Sequence, residues 1–207
     1  MSSPAPLTDV LARLRSCEWI DLTHVLNERS VFWPTAKMFE KETVFEGRTD
    51  AGFYYASAQD PDYRVAPKDI TDWEAEHGRI PDGAILLFNT GYARHYPDRE
   101  KYMGTAARGQ EAVADLHFPG IHPATAAFLV GQRDVAAVGL DTPSIDYGQS
   151  TDFAAHVTLY RNDIPGLENV ASLDGLPPTG ATVIALPMKI EGGSGGPVRI
   201  VAFVPDA

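Results

Sequence analysis

His156 and Glu168 are the two side chains in this sequence whose types and spacing best suit metal binding. His156 lies in a stretch typical of a helix, and Glu168 comes twelve residues later, after a Pro165-Gly166 turn. Imidazole and carboxylate groups both bind zinc and other transition metals. Each residue also has a simpler interpretation, since a helix histidine usually packs and a glutamate after a turn is usually solvated. The pair is a candidate metal site that needs further ligands.

The remaining histidines have no partner at ligand spacing. His24, His117 and His122 lie at or just beyond the ends of predicted elements, where a capping or packing role is expected. His77 and His95 lie in charged stretches typical of a solvated surface.

Two aspartates and a glycine-rich stretch have alternative interpretations. Asp141 and Asp146 flank a turn after a predicted buried strand, so each could orient a metal ligand or accept backbone N–H bonds within the turn. Residues 192–196 include four glycines that could approach a phosphate, but no Lys-Ser or Lys-Thr pair follows them, which favours a tight turn. No nucleophile elbow or Ser-His-Asp order supports serine hydrolase chemistry.

Composition and charge describe an ordinary globular protein. Of 207 residues, 44% are hydrophobic and 22% are charged, and the net charge of −11 argues against a nucleic-acid partner or an anionic membrane surface. Cys17 is the only cysteine, which excludes an intramolecular disulfide. The polar N-terminus is unlike a signal peptide, and no apolar run approaches the ~20 residues of a membrane span. We therefore expect a cytoplasmic protein with no membrane partner.

Periodic apolar residues predict a mixture of strands and helices. Strands are expected at residues 18–22, 37–55, 84–89, 135–140, 182–186 and 198–204, and helices at residues 7–16, 70–77 and 124–130 and around His156. Residues 90–114 are expected to be rich in loops. This mixture predicts one α/β or α+β domain over residues 1–207, with a substantial strand core.

Six motifs follow one another in an order that resembles a known family. They are Asp21-Leu22-Thr23-His24, Phe32-Trp33-Pro34, Phe53-Tyr54-Tyr55-Ala56-Ser57, Asp141-Thr142-Pro143-Ser144-Ile145-Asp146, Pro165-Gly166-Leu167-Glu168-Asn169, and the run from Leu186 to Pro197. Together they resemble the cyclase family of metal-dependent hydrolases, which includes bacterial kynurenine formamidase and isatin hydrolase. The resemblance covers nearly the whole chain from Trp19 to Pro205.

The resemblance implies a swivelling β/β/α fold, usually assembled as a homodimer or larger homo-oligomer. It also implies one or two divalent metals, zinc or manganese, that serve to hydrolyse an amide, lactam or similar bond of a small cyclic or aromatic substrate. His156 and Glu168 match the family's C-terminal pair of metal ligands, and Phe32 and Trp33 match positions that line the substrate pocket.

The family's signature, His-x-Gly-Thr-His-x-Asp-x-Pro-x-His, is absent from this sequence. It would supply two histidines and an aspartate to the metal, and a last histidine for proton transfer. After Tyr55-Ala56-Ser57-Ala58-Gln59 the chain passes directly to Asp60, which resembles family sequence from well beyond the signature. No histidine occurs between His24 and His77, so no shifted copy replaces it.

Two hypotheses follow from this pattern. In the first, the working protein is a metal-dependent hydrolase that possesses a segment not contained in these 207 residues. In the second, the deletion at Gln59–Asp60 is real, and the chain is a non-catalytic relative with a binding or structural role. The intact His156–Glu168 pair favours the hydrolase.

Overall fold

The computed structural model describes residues 12, 14–27, 29–34, 51–52, 60–191, 193 and 195–205. Most of the predicted helix at 7–16 and of the predicted strand segment at 37–55 lies outside the described residues, as does Gln59. Within the described part, residues 12 and 14–16 are helical and Ala51–Gly52 form a short strand.

The described strands form three sheets. The strands are β1 (Glu18–Asp21), β2 (Ala51–Gly52), β3 (Arg64–Val65), β4 (Ala84–Phe88), β5 (Gly120–Ile121), β6 (Val135–Leu140), β7 (Gly166–Leu167), β8 (Thr182–Pro187) and β9 (Val198–Val204). An antiparallel sheet has the order β1-β9-β8-β2, a parallel sheet has the order β4-β6-β7, and β3 pairs in parallel with β5. Strands β8 and β9 are antiparallel neighbours, with Pro187 opposite Val198, so the chain between them connects two core strands.

The described helices precede or follow the parallel strands. They are α1 (Pro67–His77), α2 (Arg99–Met103), α3 (Pro123–Gln132) and α4 (Ala154–Tyr160), with 3-10 turns at Tyr92–His95, Gln110–Asp115 and Leu173–Gly175. The segment expected to be loop-rich thus contains α2 and two 3-10 turns. Helices this short have weak periodicity and depend on packing, which is why the sequence pattern missed them.

Alternate residues of β4 face two different apolar layers. Leu86 and Phe88 belong to the cluster that includes the helical residues Ile70, Leu129 and Leu159. Ile85 and Leu87 belong to a cluster with residues of the antiparallel sheet, Val183, Ile200 and Ala202. Since strand side chains alternate between faces, the parallel sheet is buried on both sides, between the helices and the antiparallel sheet. The order of layers is β/β/α.

Helix α1 begins at Pro67, three residues before the expected start at Ile70. Pro67 occupies the first turn, where a proline is tolerated because its missing N–H would have no partner there. The Asp69 carboxylate accepts the backbone N–H of Ala66 at 2.6 Å and closes this end of the helix. Pro67 and Asp69 are both visible in the sequence, but the expected start was placed at Ile70, the first apolar residue of the helical pattern.

Strand pairing brings the two halves of the candidate site to one edge of the parallel sheet. Strand β6 ends at Leu140 and runs directly into the turn 141–146. Strand β7 pairs in parallel with β6, with Val138 opposite Gly166. Carboxyl ends of parallel strands meet at the same edge, so Glu168 lies close to this turn.

Candidate functional site

His156 and Glu168 lie in contact, as their spacing predicted. His156 is on α4, and its Nε2 is 3.1 Å from Oε1 of Glu168, just beyond the end of β7. The same Glu168 oxygen accepts the backbone N–H of Ile145 at 3.2 Å, which ties the carboxylate to the preceding turn. The side chains of His156 and Glu168 are 22% and 33% exposed, so both can be reached from solvent.

Asp146 contacts the second ring nitrogen of His156. Its Oδ2 is 2.5 Å from His156 Nδ1, and its side chain is 1% exposed. The carboxylate also accepts the backbone N–H groups of Ala155 and His156, at 3.0 and 3.1 Å, in the first turn of α4. Asp146 therefore contacts the His156 ring and accepts backbone N–H groups of α4 rather than of its own turn.

Gly120 permits the turn that carries Asp146 to lie this close to β5. A Cβ atom at this position would come within 2.2 Å of the Tyr147 backbone nitrogen. The contacting atoms are backbone, which cannot rotate away as a side chain does. A side chain at position 120 would therefore push the turn outwards.

The donor set around His156 fits a metal as two of its ligands. Two ligands about 2.1 Å from a tetrahedral zinc ion lie roughly 3.4 Å apart, close to the observed Nε2–Oε1 separation. Asp146 occupies Nδ1, which leaves Nε2 as the ring nitrogen available to a metal. Among the residues that the structure describes, however, no group of three or more His, Cys, Asp or Glu side chains is placed to hold an ion.

Electrostatics of the cluster favour a positive charge between the two carboxylates. Burial opposes the charged form of His156, but the hydrogen bonds and charges of Asp146 and Glu168 outweigh it and raise the pKa of His156 to about 9. Burial also works against the ionised form of Asp146, yet the His156 side-chain and backbone bonds lower the pKa of Asp146. The two carboxylates therefore favour the protonated, positively charged form of His156.

Glu168 opens onto a large cleft of about 1200 Å³. The cleft runs between the antiparallel sheet and the loops at the edge of the parallel sheet, and its lining includes Phe32, Trp33, Tyr160 and Asn169. Aromatic and aliphatic side chains supply most of the wall, with few polar groups, as in sites for small molecules.

Phe32 and Trp33, which the resemblance predicts to line a substrate pocket, both line this cleft. The Trp33 ring is 6.3 Å from the Phe153 ring, which in turn is 6.0 Å from the His156 ring, each in an edge-to-face arrangement. The Tyr160 ring lies 5.2 Å from His156 on another side. A continuous aromatic surface therefore connects Trp33 to the His156–Glu168 pair.

His24 also lines the cleft, although its position in the sequence favoured a capping or packing role. Its ring stacks on Tyr96, with centroids 3.7 Å apart, so part of the packing expectation is met. Burial lowers the pKa of His24, and its Nε2 has no hydrogen-bond partner in the described part of the chain. Sequence reasoning missed its place in the cleft.

The other candidate residues lie away from this cluster. His122 caps α3, since its Nδ1 accepts the Ala124 N–H at 3.0 Å. His117 bonds Asp62 at 2.8 Å on the surface. Asp141 accepts the backbone N–H groups of Thr90, Tyr92 and Ala93, so these bonds join it to the loop after β4 rather than forming within its own turn, as had been considered.

Tyr102 supports the cleft wall from behind and was missed by sequence reasoning. Its buried hydroxyl lies 3.0 Å from the Asp141 carbonyl oxygen and 3.1 Å from Asn169 Oδ1. Asn169 follows Glu168 directly and has a left-handed backbone, with φ of 55°. Tyr102 and Asn169 are 67 residues apart, and no local pattern signals a contact over that distance.

Comparisons with known proteins identify relatives of this chain. A family model described as "Putative cyclase" matches residues 44–147, half of the chain. An isatin hydrolase of Roseibium aggregatum is 35% identical over 155 residues, which cover 73% of this chain and 56% of that protein. The chain thus spans little more than half the length of that relative. A kynurenine formamidase of Bacillus cereus is 26% identical over 207 residues. The match covers 91% of this chain and 98% of that protein.

Solved structures show the same fold. The crystal structure of an isatin hydrolase bound to the product analogue thioisatinate has a TM-score of 0.80 and 25% identity, and the match covers 100% of both chains. This likeness and the β/β/α layers confirm the predicted mixed α/β, cyclase-like fold. Among the described residues, none of the helices is both long and apolar enough to span a membrane.

Proposed function

Because the chain belongs to the "Putative cyclase" family, we propose that it is a metal-dependent hydrolase acting on an amide, lactam or similar carbonyl bond. The substrate would be a small cyclic or aromatic molecule. The observation that carries this proposal is the contact between His156 and Glu168 at the wall of the cleft, with Asp146 behind the ring. The printed names of the relatives, isatin hydrolase and kynurenine formamidase, support the same class of reaction.

His156 Nε2 and the Glu168 carboxylate would hold the metal, which is zinc or manganese. When bound, such an ion lowers the pKa of water to about 7 and polarises a carbonyl oxygen. Asp146 keeps the His156 ring in the tautomer whose Nε2 is free to bind. The remaining ligands would come from outside the described residues.

The aromatic wall would bind and orient the substrate. Phe32 and Trp33 lie on one side of the cleft and Tyr160 lies beside His156. Aromatic rings prefer edge-to-face or offset contacts with one another, so a flat cyclic substrate suits this wall. The wall also excludes water around a bound ring.

The test is a combined metal and activity measurement on the purified protein, whose intact mass shows whether it carries a segment beyond these 207 residues. We expect a stoichiometric divalent ion by elemental analysis and hydrolysis of isatin or of a formamide of kynurenine. His156→Ala should lower metal affinity at least about tenfold and reduce the hydrolysis rate with it, since it removes one ligand. Glu76→Gln, which changes an exposed carboxylate on α1, is the matched control and should leave both unchanged. Stoichiometric metal without hydrolysis would point to a different substrate class.

The alternative is a non-catalytic relative with a binding or structural role. Two observations favour it: the signature is absent from the sequence, and the described residues contain no three-ligand cluster. This alternative predicts a metal-free protein that hydrolyses neither substrate and retains its fold. That combination of results would end the hydrolase proposal.

We also propose that the chain forms a homodimer or larger homo-oligomer. Four apolar side chains around the cleft are exposed over roughly half of their surface, namely Leu26, Tyr160, Met188 and Ile190. Exposed apolar side chains grouped on one face are typical of interfaces between protein chains. Sedimentation velocity should show a species heavier than 22.5 kDa, and a monomer at all concentrations would contradict the proposal.

A further inference from the structure

We propose that a second pocket, lined by Arg29, Arg99 and Arg108, binds a small molecule bearing phosphate or carboxylate groups. The pocket has a volume of about 470 Å³, and Pro97 and Asp98 complete much of its wall. This volume lies within the range of small-molecule sites. Three arginines lining one concavity are unexpected in a chain whose net charge is −11.

Arg99 is the least exposed of the three arginines that line this pocket. Its Nη1 donates to the Phe32 carbonyl at 2.9 Å and its Nη2 donates to the Ala107 carbonyl at 3.1 Å. Both acceptors are neutral, and within the described ranges Arg99 forms no ion pair. A guanidinium has five N–H donors, so these two bonds leave donors for a further acceptor.

The surroundings of Arg99 disfavour its charge. Burial, followed by the positive charge of Arg108, lowers the pKa of the Arg99 guanidinium. The Arg99 Nε is buried without a hydrogen-bond partner in the described part of the chain. An anion in the pocket would supply an opposite charge to the partly buried Arg99 guanidinium and would offset its repulsion from Arg108.

Asp98 is the carboxylate that lines this pocket, and it does not neutralise Arg99. Its Oδ2 is 2.5 Å from Lys101 Nζ, and its Oδ1 accepts the Lys101 backbone N–H at the start of α2. The carboxylate is therefore already paired within its own helix. The positive charge of the pocket remains available to a ligand.

A structural role for Arg99 accounts for part of these contacts. By bonding Phe32 and Ala107 it joins the segment 30–34 to the loop 105–109. This bridge does not explain why Arg29 and Arg108, both exposed, face the same concavity from two other segments. Planar guanidinium groups match the paired oxygens of phosphate and carboxylate, which is the chemistry we infer for the ligand.

The pocket adjoins the candidate active-site cleft without being part of it. Ser30 and Val31 line both concavities, whereas the arginine pocket alone is lined by Arg29, Pro97, Asp98, Arg99 and Arg108. The proposal therefore does not rest on hydrolase activity or on a metal. Equilibrium binding to metal-free protein tests it separately from the proposed function.

Isothermal titration of the whole chain with inorganic phosphate and with succinate, at low ionic strength and after metal and chelator have been removed by dialysis, tests the site. We expect saturable one-to-one binding at millimolar or lower concentration. Arg108→Gln and Arg29→Gln should each weaken it about tenfold, because each removes a charge-assisted hydrogen bond. Neither variant removes the bridge formed by Arg99, so both should fold. Arg161→Gln removes the same charge from an exposed residue that lines neither pocket and should have no effect.

The outcomes separate the possibilities. Tighter binding of phosphate than of succinate supports the site and identifies phosphate-bearing ligands, and the reverse order identifies carboxylates. Failure of both anions to bind, or equal weakening by Arg161→Gln and Arg108→Gln, overturns the proposal in favour of nonspecific attraction. Loss of hydrolysis in His156→Ala with unchanged anion binding would show that the two sites are independent.

Discussion

At the scale of single residues, His156 illustrates what a sequence can and cannot predict. Its pairing with Glu168 followed from residue types and from a turn of suitable length, and the structure places the two side chains 3.1 Å apart. Asp146 was also foreseen as a carboxylate that could stand behind a ligand. Asp146 and His156 are ten residues apart, and a contact over so short a separation can be anticipated from the sequence.

Other residues around the cleft left no such pattern. His24 stacks on Tyr96, and Tyr102 meets Asn169 across 67 residues. Arg29, Arg99 and Arg108 come together from three loops whose conformations no periodicity predicts. Contacts between distant loops depend on the packing of the whole chain, which is why they become visible only in the structure.

Asp146→Asn should weaken metal binding without removing a metal ligand. An amide cannot accept the His156 N–H and two backbone N–H groups with the strength of a carboxylate, so the ring loses its fixed tautomer and orientation. Loss of such a supporting group costs about 10- to 100-fold in metal affinity. Competition with a chelating dye measures this loss.

Asp152→Asn is the matched control for that variant. Asp152 is exposed in the segment that precedes α4 and accepts no hydrogen bond from His156. Its substitution should leave the affinity within a factor of about two, because exposed charges contribute little. Equal losses in the two variants would show that net charge, rather than orientation of His156, controls binding.

At the scale of elements, α1 is held to the end of α3 by a nearly buried ion pair. Arg133 donates from Nε and Nη2 to the two carboxylate oxygens of Glu74, at 2.7 and 2.5 Å. The two side chains are 8% and 11% exposed. The pair joins two helices that cover one face of the parallel sheet.

Glu74→Gln should destabilise the fold by roughly 3 kcal/mol at neutral pH, since it leaves a nearly buried guanidinium without its counter-charge. Chemical denaturation measures the change in the free energy of unfolding. Asp72→Asn, in the exposed pair that Lys68 forms with Asp72 on the same helix, should cost less than about 0.5 kcal/mol. A similar cost for both variants would contradict the structural role of the Glu74–Arg133 pair.

The same pair predicts a direction of pH dependence. The Arg133 side-chain bond is the largest influence on Glu74, and it lowers the pKa of Glu74 from its ordinary value of 4.5. Glu74 therefore binds a proton more readily in the unfolded chain than in the native one. Its contribution to the free energy of unfolding is complete above pH 4.5 and is lost as the pH falls below that value. In denaturation at a series of pH values, the difference between wild type and Glu74→Gln should shrink below pH 4.5.

The starts and ends of elements were harder to predict than their existence. The buried strands at 84–88 and 135–140 were recognisable as apolar runs between glycines or charges, and both lie in the centre of the fold. Helix α2 was not, because five residues offer little more than one turn of periodicity. Its Asp98 cap was a weak local signal that the surrounding loop residues obscured.

At the scale of the molecule, the β/β/α layers predict that the described chain unfolds as one unit. Leu87 is fully buried on β4, in the cluster between the parallel and the antiparallel sheets. A side chain in this position stabilises both sheets at once. The prediction of a single domain over residues 1–207 can therefore be tested through this residue.

Leu87→Ala should cost about 2–5 kcal/mol, because it removes buried apolar surface and leaves a cavity between two sheets. For a protein of this length, each 1 kcal/mol lowers Tm by roughly 2–4 °C. Val25→Ala, at a side chain that is 74% exposed, is the control and should leave Tm nearly unchanged. If the two sheets form one domain, wild type and Leu87→Ala each show a single transition, at the same temperature by far-UV circular dichroism and by tryptophan fluorescence. Two transitions, of which Leu87→Ala shifts one alone, would show that the antiparallel sheet folds independently of the layers that carry His156 and Glu168.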